Sequence, residues 1–258
     1  MEILTSSQNP KIRQWRSLLD KKGRELHRAF LVEGNHMVEE ALLSDFEIQA
    51  ILLRNDYSPA YAWPDDVPVY SMPEHVFQSL CETKTPQGIA AVLTIKTVPE
   101  ANGRHLIALD GLQDPGNVGT IIRTADAAGF DGVILSRDCA DLFSPKVLRA
   151  TMGSLFHLGF SFPASLPEYL VSLKQKGYSL LSSQLDGESF YDRKNVSPRQ
   201  VLIVGNEGNG ISEPVKAVAT HSLCLPMRGR AESLNAAVAA GIMMYELMRR
   251  EDTDFHGD

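Results

Sequence analysis

Five polar residues, Asn117, Arg123, Glu207, Ser233 and Asn235, interrupt apolar or glycine-rich text close to where strand-like segments give way to helices. In "LDGLQDPGNVGTIIRTADAAGF", residues 109–130, Asn117 stands at a helix start between Gly116 and Gly119, with Arg123 almost two turns further in. Free N–H groups at a helix N-terminus attract anionic or polar ligands. Asn117 therefore either caps this helix or meets a ligand, and Arg123 either pairs with a surface carboxylate or holds an anion. "VLIVGNEGNGIS", residues 201–212, runs an apolar strand into Gly205, Glu207, Gly208 and Gly210. Glycine permits close backbone approach, and a glutamate beside such a bend can accept hydrogen bonds from a hydroxyl or an amine; the alternative is a plain tight connection. In "LPMRGRAESLNAAVAAGIMMYEL", residues 225–247, Leu225, Met227 and Leu234 offer apolar lining, and Ser233 or Asn235 either caps the last helix or contacts a substrate. The small residues of that helix also suit close helix packing, within the chain or across a dimer. Neither G-x-G-x-x-G nor G-x-x-x-x-G-K-[ST] occurs, which speaks against a dinucleotide or P-loop site. The seven histidines show no paired spacing and Cys81, Cys139 and Cys224 no C-x-x-C, so no metal site is expected.

The elements around these loops alternate. "HLIALDGL", "GVILS", "HLGFSF", "SLLSSQL", "VLIVGNE" and "SLCLPM" read as strands, separated for the most part by helical text, with the last helix from about Ser233 and a frayed tail "EDTDFHGD". Near-continuous apolar strands alternating with helices predict a parallel sheet covered on both faces, with ligands outside the carboxyl ends of its strands. Upstream, "AFLVEGNHMVEEALLS", "IQAILLRN", "VPVYSM", "PEHVFQSLCE" and "GIAAVLTIK" predict a smaller α/β domain. Ile12, Trp15, Leu18 and Leu19 recur at helical spacing between Asn9 and Lys22, which predicts one basic amphipathic helix there. Pro, Asn and Gly cluster in "TVPEANGRH", so the expected domains are residues 1–97 and 105–258, joined by a linker at 98–104.

The 258 residues are 43% hydrophobic and 22% charged, an ordinary globular composition with room for two domains. No apolar run reaches membrane-spanning length, the first residues lack the apolar centre of a secretory signal, and the scattered cysteines fit a reducing compartment, so a cytoplasmic protein is expected. The formal charge of −7 looks unfavourable for a polyanion, yet residues 1–28 carry seven basic against three acidic groups. A local excess of this kind is either a solvated helix face or an RNA contact.

Taken together, in this order and spacing, the three loops resemble the motifs of the SPOUT superfamily, in its SpoU/TrmH branch of RNA ribose 2′-O-methyltransferases. N-x-G-x-x-x-R-x-A is matched by Asn117, Gly119, Arg123 and Ala125; G-x-E-G-x-G by Gly205, Glu207, Gly208 and Gly210; and the third motif from Leu225 and Pro226 through Met227 and Gly229 to Ser233, Leu234 and Asn235. "ILTSSQNPKIRQWRSLLDKKGR", "FLVEG" and "TKTPQGIAAV" are similar to the ribosomal-protein-like substrate-binding extension of such enzymes, so the resemblance covers nearly the whole chain. It implies a C-terminal parallel-sheet α/β domain with a deep trefoil knot beside the smaller N-terminal domain. It implies S-adenosylmethionine as methyl donor, held by Ser183, where threonine is more usual, and by Gly205, Leu225, Met227 and Leu234, with no metal. It further implies a homodimer acting on RNA, ribosomal RNA favoured over transfer RNA because of the extension, with Lys11, Arg13, Lys21, Lys22 and Arg24 as RNA contacts.

Methyl transfer to a ribose hydroxyl needs in-line approach and loss of the 2′-OH proton. A guanidinium hardly ever gives up its own proton. Arg123 is therefore expected to hold phosphate and stabilise developing alkoxide charge, with Asn117, Glu207, Ser233 and Asn235 orienting the ribose, Arg123 and the loops. The competing readings are a transfer-RNA ribose methyltransferase, an RNA-binding protein of this fold that has lost the donor, and a dinucleotide-dependent oxidoreductase.

Overall fold

The computed structural model describes residues 1–58, 62–95 and 98–254, with side chains up to residue 249. Thr97, at the expected domain boundary, and the last four residues of the expected tail lie outside the described residues. The chain forms two compact units, Met1–Val98 with Asp141–His157, and Pro99–Ala140 with Leu158–Asp258. The first unit thus takes in a segment from the middle of the sequence, the connection that follows strand Gly132–Leu135 and precedes strand Gly159–Ser161.

The first unit holds a five-stranded sheet of β1 (Glu2–Ile3), β2 (Ala29–Glu33), β3 (Ile48–Arg54), β4 (Val69–Met72) and β5 (Ile89–Thr94), in the order β1-β4-β3-β5-β2. β5 runs antiparallel to both β2 and β3, and β4 parallel to both β1 and β3. Its helices include α1 (Pro10–Ser17), α2 (Lys21–His27), α3 (Asn35–Leu43) and α4 (Glu74–Gln78). The single basic helix expected from Asn9 to Lys22 is corrected to the pair α1 and α2. Asn9 caps α1, accepting from Lys11 N, and Pro10 fits its first turn. After Ser17 the chain tightens through three successive i→i−3 hydrogen bonds at Leu18, Leu19 and Asp20, then starts α2 directly against the end of α1. At Gly23 an added Cβ would lie 1.9 Å from Ser17 O, so only glycine allows that approach. Arg24, 4% exposed, then donates to the carbonyls of Leu18 at 2.7 Å and Leu19 at 2.8 Å, which α1 leaves unpaired at its end. The segment Asp141–His157 carries α6 (Pro145–Thr151) and covers this unit through Phe30–Phe143 and Phe46–Phe156 ring contacts, centroids 4.8 and 5.2 Å apart.

The second unit contains β6 (His105–Asp110), α5 (Pro115–Ala127), β7 (Gly132–Leu135), β8 (Gly159–Ser161), α7 (Leu166–Gln175), β9 (Ser179–Ser189), β10 (Gln200–Gly205), α8 (Glu213–Val218), β11 (His221–Cys224) and α9 (Ala236–Asp254). All six strands are parallel, in the order β11-β9-β10-β6-β7-β8. β7 and β10 are buried along their whole length, as an apolar strand sandwiched by helices must be. Leu166, Leu170 and Leu173 of α7 and Val215 of α8 pack on Leu106, Ala108, Leu180, Val201 and Ile203. Ile107, Leu109 and Val133, of opposite parity, are equally buried, which leaves the α5–α9 pair to cover the other face. Ala237 and Ala240 are buried and Gly241 faces Thr124, so part of the small-residue stripe of α9 serves packing inside the chain. The tail expected to fray continues α9 as far as Asp254.

Candidate active site

β6 and β10 are neighbours in register, Asp110 opposite Gly205, so the loops that follow them emerge side by side. The first loop enters α5 through Asp114, whose side chain accepts from Asn117 N at 2.8 Å, with Pro115 in the first turn. Asp114 and not Asn117 therefore caps the helix, and the Asn117 amide is released for other work. The second loop closes on itself: Asn206 and Gly210 exchange backbone hydrogen bonds of 2.9 Å in each direction. An added Cβ on Gly205 would sit 2.2 Å from the backbone at Gly210 and Ile211, which is why the strand must end in glycine here.

That closed loop presents Glu207 to the start of α5. Its carboxylate accepts from Asn117 Nδ2 at 3.0 Å and, at longer range, from the backbone N–H groups of Asp114 and Gln113 at 3.3 and 3.4 Å. Asn117 Oδ1 in turn accepts from Asn235 Nδ2 at 2.9 Å, and Asn235 Oδ1 accepts from the N–H groups of Ala237 and Val238 at 2.9 and 3.3 Å, capping α9. The order of donors and acceptors admits one solution. A carboxylate can only accept, so Asn117 must turn its amine to Glu207 and its oxygen to Asn235; Asn235 must then turn its own oxygen to the α9 N-terminus, where N–H groups await it. The sequence left capping and ligand contact as alternatives for Asn235; its side chain both caps α9 and reaches Asn117. Partial burial pushes the Glu207 carboxyl upward, but the hydrogen bonds from Asn117 and from the backbone outweigh this and hold it below the ordinary carboxylate range. The starts of α5 and α9 are thus joined through one hydrogen-bonded chain, which ends at the Glu207 carboxylate on the α5 side and at the N–H groups of Ala237 and Val238 on the α9 side.

Arg123 is exposed on α5 and, among the described residues, has no ion-pair partner. It is not hydrogen-bonded to the Glu207 cluster, from which six residues of helix separate it, a rise of about 9 Å. Ser233 is likewise exposed and outside the hydrogen-bonded chain. Between β11 and α9, Met227 and Leu234 leave apolar surface exposed, and among the described residues the backbone from Pro226 to Leu234 pairs with no other backbone group.

Residues 104–245 match the SpoU rRNA Methylase family, and residues 9–91 match the MRM3-like substrate binding domain. The chain belongs to the SpoU rRNA methylase family. A SpoU relative, the 23S rRNA (guanosine(2553)-2′-O)-methyltransferase RlmP of Bacillus subtilis, is 39% identical over 96% of this chain and 99% of its own. Solved structures of a TrmH-family protein from Porphyromonas gingivalis and of an AdoMet-bound rRNA methyltransferase from Sinorhizobium meliloti superpose with TM-scores of 0.87 and 0.84. They are 35% and 30% identical, and the matches cover 94% and 97% of this chain and 98% of each of theirs.

Of the cations expected to touch RNA in this SpoU chain, Arg24 is withdrawn. Its side chain is buried, with Nε and Nη2 on Asp141 Oδ2 at 3.0 and 2.7 Å and Nη1 on the Leu18 and Leu19 carbonyls, so four of its five N–H donors are engaged inside the protein. Lys11 stays at the surface but is engaged by Glu2 at 2.8 Å and by the Tyr70 hydroxyl at 3.0 Å, which raise its pKa. Arg13, Lys21 and Lys22 are exposed, and Arg13 and Lys22 line an open groove of about 600 Å³ with Gln14, Leu26 and His27. The sequence reading missed Asp114, although an Asp–Pro pair before a helix is a cap signal, and it missed Asn206, for which spacing gives no signal. Among the described residues no group of three or more His, Cys, Asp or Glu side chains is placed to hold a metal ion, and no helix is long and apolar enough to cross a membrane.

Proposed function

We propose that this chain methylates a ribose 2′-hydroxyl of ribosomal RNA with S-adenosylmethionine as donor, and that its target is the guanosine corresponding to the one the Bacillus relative modifies. The observation that carries this reading is the hydrogen-bonded chain Glu207–Asn117–Asn235, which joins one residue from each of the three motifs at the start of two helices. The loop after β11 suits the donor: unpaired backbone N–H and C=O groups can read an adenine edge, and the exposed side chains of Met227 and Leu234 can cover its faces. Gly205, Leu225 and Ser183 complete the proposed donor-binding set. When bound, S-adenosylmethionine supplies an electrophilic methyl group on a sulfonium.

The chain's own residues must hold the ribose oxygen and deal with its proton. Glu207 is a poor base, because the donors that hold its carboxylate oppose protonation. Its role is to fix Asn117 and, through it, Asn235. Arg123, without an ion-pair partner among the described residues, is free to take the phosphate of the target nucleotide and to stabilise negative charge on the attacking oxygen; the proton leaves to water or phosphate. Ser233, exposed beside Leu234, is assigned to the ribose. Arg13, Lys21 and Lys22 track RNA phosphates from residues 1–97, with Lys11 exchanging Glu2 for phosphate at little cost, since water and salt screen an ion pair at the surface.

The homodimer belongs to the same proposal. Leu234, Val238, Ile242 and Tyr245 form an exposed apolar stripe beginning just before α9 and running along it, a surface suited to a second copy. A trefoil knot at the C-terminal end and a cytoplasmic location are further parts of it. Mapping 2′-O-methyl groups in RNA from cells with and without the protein tests the reading. One guanosine of the large-subunit RNA is expected to lose its methyl. A methyl lost from a transfer RNA would change the substrate, and no loss together with no S-adenosylmethionine binding in calorimetry would leave an RNA-binding protein without catalysis.

A further inference from the structure

Asn206 lies between Gly205 and Glu207, yet its side chain points away from the Glu207 hydrogen bonds and ties two loops together. Its Nδ2 donates to Gly111 O at 2.8 Å, in the loop leaving β6. Its Oδ1 accepts from the N–H groups of Gly208 at 2.9 Å and Asn209 at 3.0 Å, within its own loop. Gly111 N is held from the other side by Ser136 Oγ at 2.9 Å, and Ser212 N by Asp110 Oδ2 at 2.7 Å. Both polar groups of Gly111 are therefore satisfied by side chains from the exits of β7 and β10, the two strands that flank β6. Only a primary amide of this length can give an N–H to one loop while accepting two N–H groups of the other: aspartate lacks the donor and serine the reach.

We infer that Asn206 is a positioning residue for the methyl-transfer site: its amide clamps the β10 exit to the β6 exit and so sets the distance at which Glu207 meets Asn117. Glu207 bonds to residues 113, 114 and 117 across the two loops that Asn206 joins, within reach only if the loops keep their spacing. Helix α5 begins four residues after Gly111, so a shift at that carbonyl carries directly to Asn117.

The activity arm of the test rests on the proposed methyl transfer. Displacing a positioned group by about 1 Å can cost about 100-fold, so Asn206→Ala should lower kcat by a factor of that order. Asn206→Asp, which keeps the size and the acceptor but loses the donor to Gly111, should lower kcat by about 10-fold while retaining the wild-type circular dichroism spectrum. Asn206→Ala combined with Glu207→Gln should be little worse than the poorer single variant, because both act through one contact. Losses that multiply, or a wild-type kcat in Asn206→Asp, would overturn the inference. A second arm needs no substrate: carboxyl NMR should show the Glu207 titration moving up toward the ordinary carboxylate range in Asn206→Ala. An unmoved titration overturns the clamp even if the wild-type protein methylates nothing, a result that would count against the proposed function alone.

Discussion

In the second unit three polar side chains from three loops, Glu207, Asn117 and Asn235, come within hydrogen-bond reach of one another, whereas in the first unit two of five cations picked out for RNA, Lys11 and Arg24, are engaged by the protein itself. In the sequence the two sets look alike, polar residues in a suggestive pattern. They differ in what the backbone does with the pattern. Parallel strands bring their carboxyl ends to one edge, and β6 and β10 are hydrogen-bonded neighbours there, so residues just beyond them converge whatever lies between them in sequence. A basic helix gives its charges no such address. Each cation goes to whatever acceptor tertiary packing offers, and the carbonyls at the end of α1 need donors as much as a phosphate does.

The comparison can be broken most severely at Arg123. Arg123→Ala should reduce methyl transfer by about 100- to 1,000-fold, as loss of a charge-stabilising donor does, with Arg123→Lys in between because it keeps the charge without the planar fork. Full activity in Arg123→Ala would detach the guanidinium from the chemistry. Next in size, Arg24→Ala should destabilise the protein by about 3 kcal/mol, because it strands Asp141 and two α1 carbonyls; urea unfolding measures this. A stability within about 0.5 kcal/mol of wild type would return Arg24 to the RNA surface. Neutralising Arg13, Lys21 and Lys22 should leave the unfolding midpoint in place and lower the slope of log K against log salt for RNA by about 0.7 for each phosphate that is no longer neutralised. An unchanged slope would make that face a solvated one.

The smallest expected effect concerns pH. The folded Glu207 carboxyl titrates below its ordinary value of 4.5, so the stability it contributes is present above that value and is lost as pH falls through the lower folded one. Above about pH 6 it stays ionised, and Glu207→Gln should lower the rate without changing the shape of the pH profile. An ascending limb that disappears in Glu207→Gln would identify Glu207 as the proton acceptor and reverse the role given to it.

Much of this was legible because the relevant patterns are local. Alternation of apolar strands and helices over residues 105–250 follows from burial on both faces of a sheet, and of the glycines around Glu207, Gly205 follows from the close passage of the backbone at Gly210 and Ile211 and Gly210 from its positive φ. The break between α1 and α2 was not legible, since Ile12, Trp15, Leu18 and Leu19 keep helical spacing through it and only the Gly23–Ser17 approach shows the turn. The short β1 was missed for a different reason: two residues are too few for any periodicity, and its pairing partner Tyr70–Ser71 is far along the chain.

The sequence by itself determined the family, the element order of the second unit and the residues of the three motifs, because spacing along a strand or helix and turn chemistry depend on neighbours a few positions away. Only the tertiary structure decided that Asp114 frees Asn117 from capping, that the amides of Asn117 and Asn235 take one orientation from a carboxylate 90 residues from Asn117, and that Arg24 is spent on Asp141, 117 residues on. Hydrogen-bond partners are chosen by which groups burial leaves unsatisfied, and burial is a property of the packed chain.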